Sequence, residues 1–221
     1  MANKITTKNL TDFKNKLHGG GARPNLFEVS IPAFPKDVKL QRKWTTSQNN
    51  DLRFLCKAAQ LPASTIAEIP VPFRGRILKV AGDRTFEPWT ITIINDEDFN
   101  LRTAFEEWMN QMSDMTHATG LSNPSAYMTN AYVTQLGRNR RRGFNNDQKQ
   151  DINDGKQQSA VLRNYKFVDV FPTEVSAIDL SYDSTDTIEE FTVTFQVQHI
   201  EIGKGETGVA DGGPQLTPTI K

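Results

Sequence analysis

"ILKVAGDRTFEPWTITI" (residues 77–93) sets two β-like runs on either side of a glycine and two charges. Trp89, Ile91 and Ile93 alternate with Thr90 and Thr92, the period of a strand with one face buried and one face wet. Ile77 to Val80 is β-rich as well. Between the runs, Gly82 permits backbone angles closed to other residues, and Asp83 accepts local amide hydrogen bonds. The stretch therefore reads as a hairpin in which 77–80 pairs with 89–94 across a Gly82-Asp83 turn. The competing reading makes Gly82-Asp83-Arg84 a reactive corner on a strand end. It depends on the chemistry available elsewhere in the chain.

Working outward, residues 66–80 are β-rich but carry Pro70 and Pro72. Proline cannot donate to a ladder, which places this stretch at a sheet edge or in a protruding loop. Leu52, Phe54, Cys56 and Ala58 fall on one face of a strand that Pro62 stops, and residues 32–51 read as a loop or frayed hairpin. Phe27, Val29 and Ile31 alternate with Glu28 and Ser30 in another strand. Downstream, Leu101, Phe105, Trp108, Met109 and Met112 form a single apolar helical stripe. Asn95 to Asp98 supply cap-type and acidic residues at its start.

The second half is β again. Residues 132–136 and 161–171 flank a polar stretch, 137–160, as a hairpin with a long tip. Ile178, Leu180 and Tyr182 alternate with Asp179, Ser181 and Asp183, while Phe191, Val193, Phe195 and Val197 alternate with Thr192, Thr194, Gln196 and Gln198. Six to eight strands and one good helix, with no βαβ alternation, predict a mainly β protein. The fold class is an antiparallel sandwich or barrel with one flanking helix. The organisation reads as an N-terminal arm (1–21), a β domain (22–202) with expanded loops at 32–51 and 137–160, and a C-terminal tail (203–221).

The 221-residue chain holds 26 basic and 26 acidic residues, so the positive excess of a protein that grips a phosphate backbone is missing. Net charge near zero is permissive for self-association. No apolar run approaches the roughly 20 residues that span a bilayer, and the first residues have no apolar core of a secretory signal. The lone Cys56 excludes an internal disulfide and fits assembly in a reducing cytoplasm. His18, His117 and His199 have no metal-type partner at short spacing, and no nucleophile elbow, Walker or dinucleotide pattern occurs. Asp96-Glu97-Asp98 and Asp183/Asp186/Glu189/Glu190 are the carboxylate clusters, read as a helix start and a solvated turn in preference to an acid/base pair or cation site. "GRNRRRG" (137–143) reads as a solvated hairpin tip, with phosphate holding or docking on an acidic surface as the functional options. Neither a cofactor nor a metal is expected.

Three blocks taken together resemble the tail tube proteins of contractile-tailed bacteriophages, especially the T-even-like group. They are "ARPNLFEV" (22–29), "CKAAQLPASTIAEIPVPFRGRILKVAGDRTFEPWTITIINDEDFNLRTAFEEW" (56–108) and "FPTEVSAIDLSYDSTDTIEEFTVTFQVQ" (171–198). Within them "LP", "IPV", "AGDRTF..WT", "NDE" and "FPT" stand in the family's order. The resemblance implies a small β-sandwich or barrel with one helix. It implies rings of six copies whose inner strands join into a continuous barrel, stacked into a tube inside a contractile sheath, with DNA passing through the lumen. It implies a virion location, and sheath, baseplate, tape measure and tail terminator proteins as partners beside the chain itself. Secreted ring proteins of type VI systems share the fold class and are the near alternative.

On this reading Arg74, Arg76, Arg84, Trp44, Arg140, Arg141 and Arg142 are candidate inter-subunit contacts. Arg84 is a solvated charge in a lone domain and a partner for a neighbour's acidic group in a stacked ring. Thr192, Thr194, Gln196 and Gln198 form an uncharged polar stripe suited to lining a wet channel. The edge candidates are 66–80 and the N-terminal segment, and the tip 137–160 is read as reaching a neighbouring ring or the sheath. A β-sandwich carbohydrate-binding module competes; it would be a monomer with a groove lined by Trp44, Trp89 or Trp108. Trp89 and Trp108 lie on apolar faces and read as core, whereas Trp44 sits in a polar loop.

Overall fold

The computed structural model describes residues 9–16, 21–35, 37–40, 43–117, 119–140 and 159–204. In chain order its elements are α1 (Leu10–Lys16), β1 (Phe27–Ser30), α2 (Thr46–Leu55), β2 (Cys56–Ala59), β3 (Ser64–Phe73), β4 (Arg76–Phe86) and β5 (Trp89–Ile94). There follow α3 (Asn100–Met112), α4 (Pro124–Tyr127), β6 (Thr129–Arg140), β7 (Ser159–Val175), β8 (Glu190–Gln196) and β9 (His199–Lys204). The sheet path β1-β6-β7-β8-β5-β2 is antiparallel and open, with β9 also on β7; it does not close into a barrel.

Alternation decides where the core lies. In the β5–β8 ladder, Trp89 faces Phe195, Ile91 faces Val193 and Ile93 faces Phe191, and all six side chains are buried. The facing sheet supplies Val29, Ala131, Val133 and Phe167. Trp89 stacks on Phe167 with ring centroids 4.3 Å apart. Phe195 touches Trp89, Phe105 and Trp108, so both β5 and the stripe of α3 converge on one ring. Each indole donates to a backbone carbonyl: Trp44 to Ile31, Trp89 to Gln60 and Trp108 to Tyr127, at 2.8 to 3.0 Å. Buried aromatics with their polar edge satisfied in this way stabilise a core without a desolvation penalty.

One strand serves both sheets. β7 pairs with β9 up to Val168, with β6 up to Val170 and with β8 from Phe171 on. Just before the crossover, at the irregularity between the pairs Ala131–Phe167 and Thr129–Val170, Asp169 turns left-handed (φ 53), and its N–H is taken by the Asn130 side chain. Asp is among the few residue types that tolerate this conformation.

Four expectations are corrected. First, 77–80 does not pair with 89–94: β4 runs unbroken from Arg76 to Phe86 and pairs with β3, while β5 pairs with β2 and β8. Gly82-Asp83 is a bulge, two residues opposite Ala67 between the pairs Ile66–Arg84 and Glu68–Ala81. A Cβ on Gly82 would stand 3.0 Å from the Ala67 carbonyl oxygen and 3.2 Å from Ile69 Cγ1, so the glycine serves close approach. The turn is Arg74-Gly75, both at positive φ (44 and 81), the geometry of a two-residue hairpin loop matched to strand twist.

Second, residues 46–55 are helix. Thr45 accepts from the Ser47 N–H and Gln48 Oε1 accepts from the Thr45 N–H, a capping box that opens α2. Leu52 is then buried on the helix and Phe54 points to solvent, which a strand would not do. Third, Asn95 to Asp98 do not cap α3, whose N-cap is Phe99 at φ 54 with no acidic residue in the first turn. Asn95 instead ties the end of β5 to Glu189 by backbone and side-chain bonds of 2.9 and 3.0 Å. Fourth, residues 176–183 form no strand despite their alternation.

Because Phe195 joins two sheets and a helix, Phe195→Ala is expected to cost about 3–5 kcal/mol of unfolding free energy. Denaturant unfolding followed by tryptophan fluorescence measures it.

Candidate assembly interface

Leaving the core, the chain makes a two-stranded hairpin, β3–β4, that belongs to no other sheet and is exposed along β3 throughout and along β4 nearly so. Residues directly opposite share a face. One face carries Ile69, Val80, Val71, Leu78, Phe73 and Arg76; the other carries Glu68, Ala81, Pro70, Lys79, Pro72 and Ile77. The first face is an apolar stripe, with Phe73 66% and Leu78 63% exposed. Lys79 pairs with Glu68 at 2.8 Å on the second face, and the Arg74 guanidinium lies 5.5 Å from the Phe73 ring centroid at the tip.

The prolines set the polarity of the hairpin's edges. Pro70 opposes Lys79 and Pro72 opposes Ile77. Without an N–H, neither proline can exchange the two bonds of a hydrogen-bonded pair, so these are the non-hydrogen-bonded pairs of the ladder. The backbone groups of Pro70 and Pro72 then point away from β4, and those of Ile77 and Lys79 point away from β3. The outer edge of β3 therefore lacks two donors in alternate positions. The outer edge of β4 keeps every N–H and C=O.

The outer face of the β5–β8 ladder is a second surface. Thr90 faces Thr194 and Thr92 faces Thr192, with the Thr90 and Thr194 hydroxyls hydrogen-bonded at 3.3 Å. Gln196 continues it, exposed, and Gln198, beyond the end of β8, is exposed with its N–H donating to the Val168 carbonyl. Thr192 and Thr194 thus belong to a threonine ladder on two strands. Its partners Thr90 and Thr92 are legible as the wet face of "WTITI", but that they stand beside Thr194 and Thr192 is a long-range pairing that the local pattern does not carry.

Of the candidate contacts, the structure brings Arg74, Arg76 and Arg84 together on the hairpin, all exposed. Trp44 stands elsewhere and is not loose in its loop: it is half-buried, 4.3 Å from the Phe34 ring, and hydrogen-bonded to Ile31. Arg140 closes the β6–β7 ladder opposite Ser159, while Arg141 and Arg142 lie outside the described residues. Trp89 and Trp108 are buried, so they line no groove for a sugar.

The chemistry near the surface is sparse. Among the described residues no group of three or more His, Cys, Asp or Glu is placed to hold a metal ion. His117 pairs with Asp114 at 3.0 Å in an exposed turn, where the Thr116 N–H chiefly holds the Asp114 carboxyl below its usual range. The Lys166 ammonium does the same for Glu201 at 3.0 Å. No described helix is long and apolar enough to cross a membrane.

A family model described as phage tail tube protein matches residues 22–201. Tail tube protein gp19 of Enterobacteria phage T4 is 31% identical over 183 residues, 83% of this chain and 93% of that protein. The chain belongs to the phage tail tube protein family. A tail tube protein of Serratia phage KSP90 is 23% identical over 185 residues, 83% of this chain and 90% of that one. The fold is shared with a chain of the anti-feeding prophage baseplate, at 9% identity and TM-score 0.54, covering 85% of this chain and 98% of that chain. Tail tube proteins are structural components of the virion, and the reactive-corner reading of Gly82-Asp83-Arg84 gives way to a bulge in a strand of one of them.

Burial pushes the Cys56 thiol up to about 12, with Sγ directed at the Ala58 carbonyl. The thiolate is the reactive form, so at pH 8 the folded tail tube protein is expected to react with a thiol reagent on the order of a thousandfold more slowly than the unfolded chain. The rate of colour release with and without denaturant measures this.

Proposed function

We propose that this tail tube protein forms six-membered rings that stack into the inner tube of a contractile tail, and that it acts by geometry without catalysis. The observation that carries the reading is the β3–β4 hairpin, whose apolar face has no cover among the described residues. Full burial of side chains such as Ile69, Val71, Phe73 and Leu78 is worth about 1.5–3 kcal/mol each, and a second copy of the chain supplies it on assembly. Contacts between unlike surfaces close into a ring when the rotation between copies closes. Sheath, baseplate, tape measure and tail terminator proteins are the further partners of such a tube, and DNA is a passenger in it. Family membership and the virion location it brings support this reading.

The threonine ladder with Gln196 and Gln198 is assigned to the lumen. Hydroxyls and amides keep a channel wet, and the absence of Lys and Arg from these positions avoids the phosphate contacts that would hold DNA in place. Arg74, Arg76 and Arg84 are assigned to contacts between copies, together with the exposed part of Trp44. Arg140, Arg141 and Arg142 are assigned to a neighbouring ring or the sheath.

Two outcomes test these assignments. In negative-stain images the full chain at high concentration is expected as rings or tubes of uniform diameter, and a variant with 66–84 replaced by a short Gly-Ser link as dispersed monomers of unchanged helix content that have lost only the β3–β4 strands. A full chain that stays monomeric would overturn the reading. Phage carrying Gln196→Lys and Gln198→Lys are expected to assemble normally and eject DNA more slowly. Unchanged ejection would remove these positions from the lumen.

A further inference from the structure

We propose that the outer edge of β4 in one copy takes residues 176–183 of a second copy as an added strand. The inference rests on the self-assembly reading and specifies the two surfaces that meet.

The edge is the first observation. β4 presents intact backbone groups at Ile77, Lys79 and Ala81, whereas Pro70 and Pro72 deny the same to β3, so strand addition to this hairpin has one side open. A long, exposed, apolar edge strand is a template for pairing with another chain.

The second observation is a strand-forming segment with no strand to join. Ile178, Leu180 and Tyr182 alternate with Asp179, Ser181 and Asp183. The chain is held to β8 as far as Ser176, whose N–H donates to the Thr192 carbonyl and whose hydroxyl accepts from the Thr192 N–H, both at 2.9 Å. Beyond it, Ile178 still packs on the core, but Leu180 is 79% and Tyr182 105% exposed. The local pattern asks for a ladder that the described residues do not provide.

Charge is the third. Residues 176–189 carry Asp179, Asp183, Asp186 and Glu189 and no Lys or Arg. β4 carries Arg76, Lys79 and Arg84 against Asp83. Lys79 already has Glu68, but Arg76, Arg84, Asp179 and Asp183 have no ion-pair partner among the described residues. An acidic strand with exposed apolar side chains thus matches a basic edge beside an apolar face, and both lack ion-pair partners among the described residues.

Charge exchange and cross-linking test the pairing in the full chain. Arg76→Glu with Arg84→Glu, and separately Asp179→Arg with Asp183→Arg, are each expected to lower the sedimentable assembled fraction by about tenfold or more, with circular dichroism unchanged. All four changes in one chain are expected to restore assembly. In a second arm, Leu78→Cys and Leu180→Cys variants carrying different tags are mixed and treated with a short bis-maleimide. The band joining the two variants is expected to exceed either self-joined band, with Cys56 silent. Assembly that proceeds without the mixed band, or a fourfold variant no better than the double ones, would overturn this pairing and leave self-assembly standing. A wild-type chain that remains monomeric would overturn both.

Discussion

Two paired strands cannot cover their own faces, and in this protein the core closes without them. Phe195 is surrounded by Trp89, Phe105 and Trp108, and Phe167 fills the place against Trp89. Phe73, Leu78 and Val80 take no part in that centre; the β3–β4 hairpin stands as a separate sheet with these side chains exposed. The position of every other candidate surface follows from this division. The β5–β8 ladder spends its apolar side chains inward and so has threonines to show outward. The hairpin has apolar side chains left over, exposed in the described structure.

How far the sequence disclosed this depended on whether a signal was local. Phe191 to Val197 and Trp89 to Ile93 announced their strands because alternation records one buried face directly. Leu101, Phe105 and Trp108 announced α3 in the same way. Which strand pairs with which is a long-range property, and there the reading of 77–93 went astray: a Gly-Asp pair has the same composition in a bulge as in a turn. Arg74-Gly75, two residues between two β-rich runs, was the better turn signal. Thr45 and Gln48 spelled a capping box that identified α2, but the stretch around them has no apolar period to draw attention to it. Residues 176–183 carried a strand signal that the lone chain does not honour, because a strand is completed only by a neighbour.

The motifs that first suggested the family now have separate physical reasons. In "AGDRTF..WT", Gly82 lets β4 pass close to Ala67 and Ile69, and Trp89 anchors the inner face of β5. In "IPV", Pro70 belongs to the pair of prolines that closes one edge of the hairpin. In "NDE", Asn95 holds the end of β5 to Glu189. Each restricts which backbone groups and which faces remain available to another molecule.

The bend at Asp169 has a mechanical consequence. β7 crosses from the β6–β9 side to the β8 side as one continuous backbone. Sheets that merely pack face to face can slide when sheared, because only dispersion and side-chain interlocking resist the motion. Here a shear applied to one sheet is carried to the other through covalent bonds, and slippage would require tearing a ladder along β7. The subunit is therefore stiff as a single body along that strand, and among the described residues the hairpin and the 176–189 segment stand outside this continuous ladder.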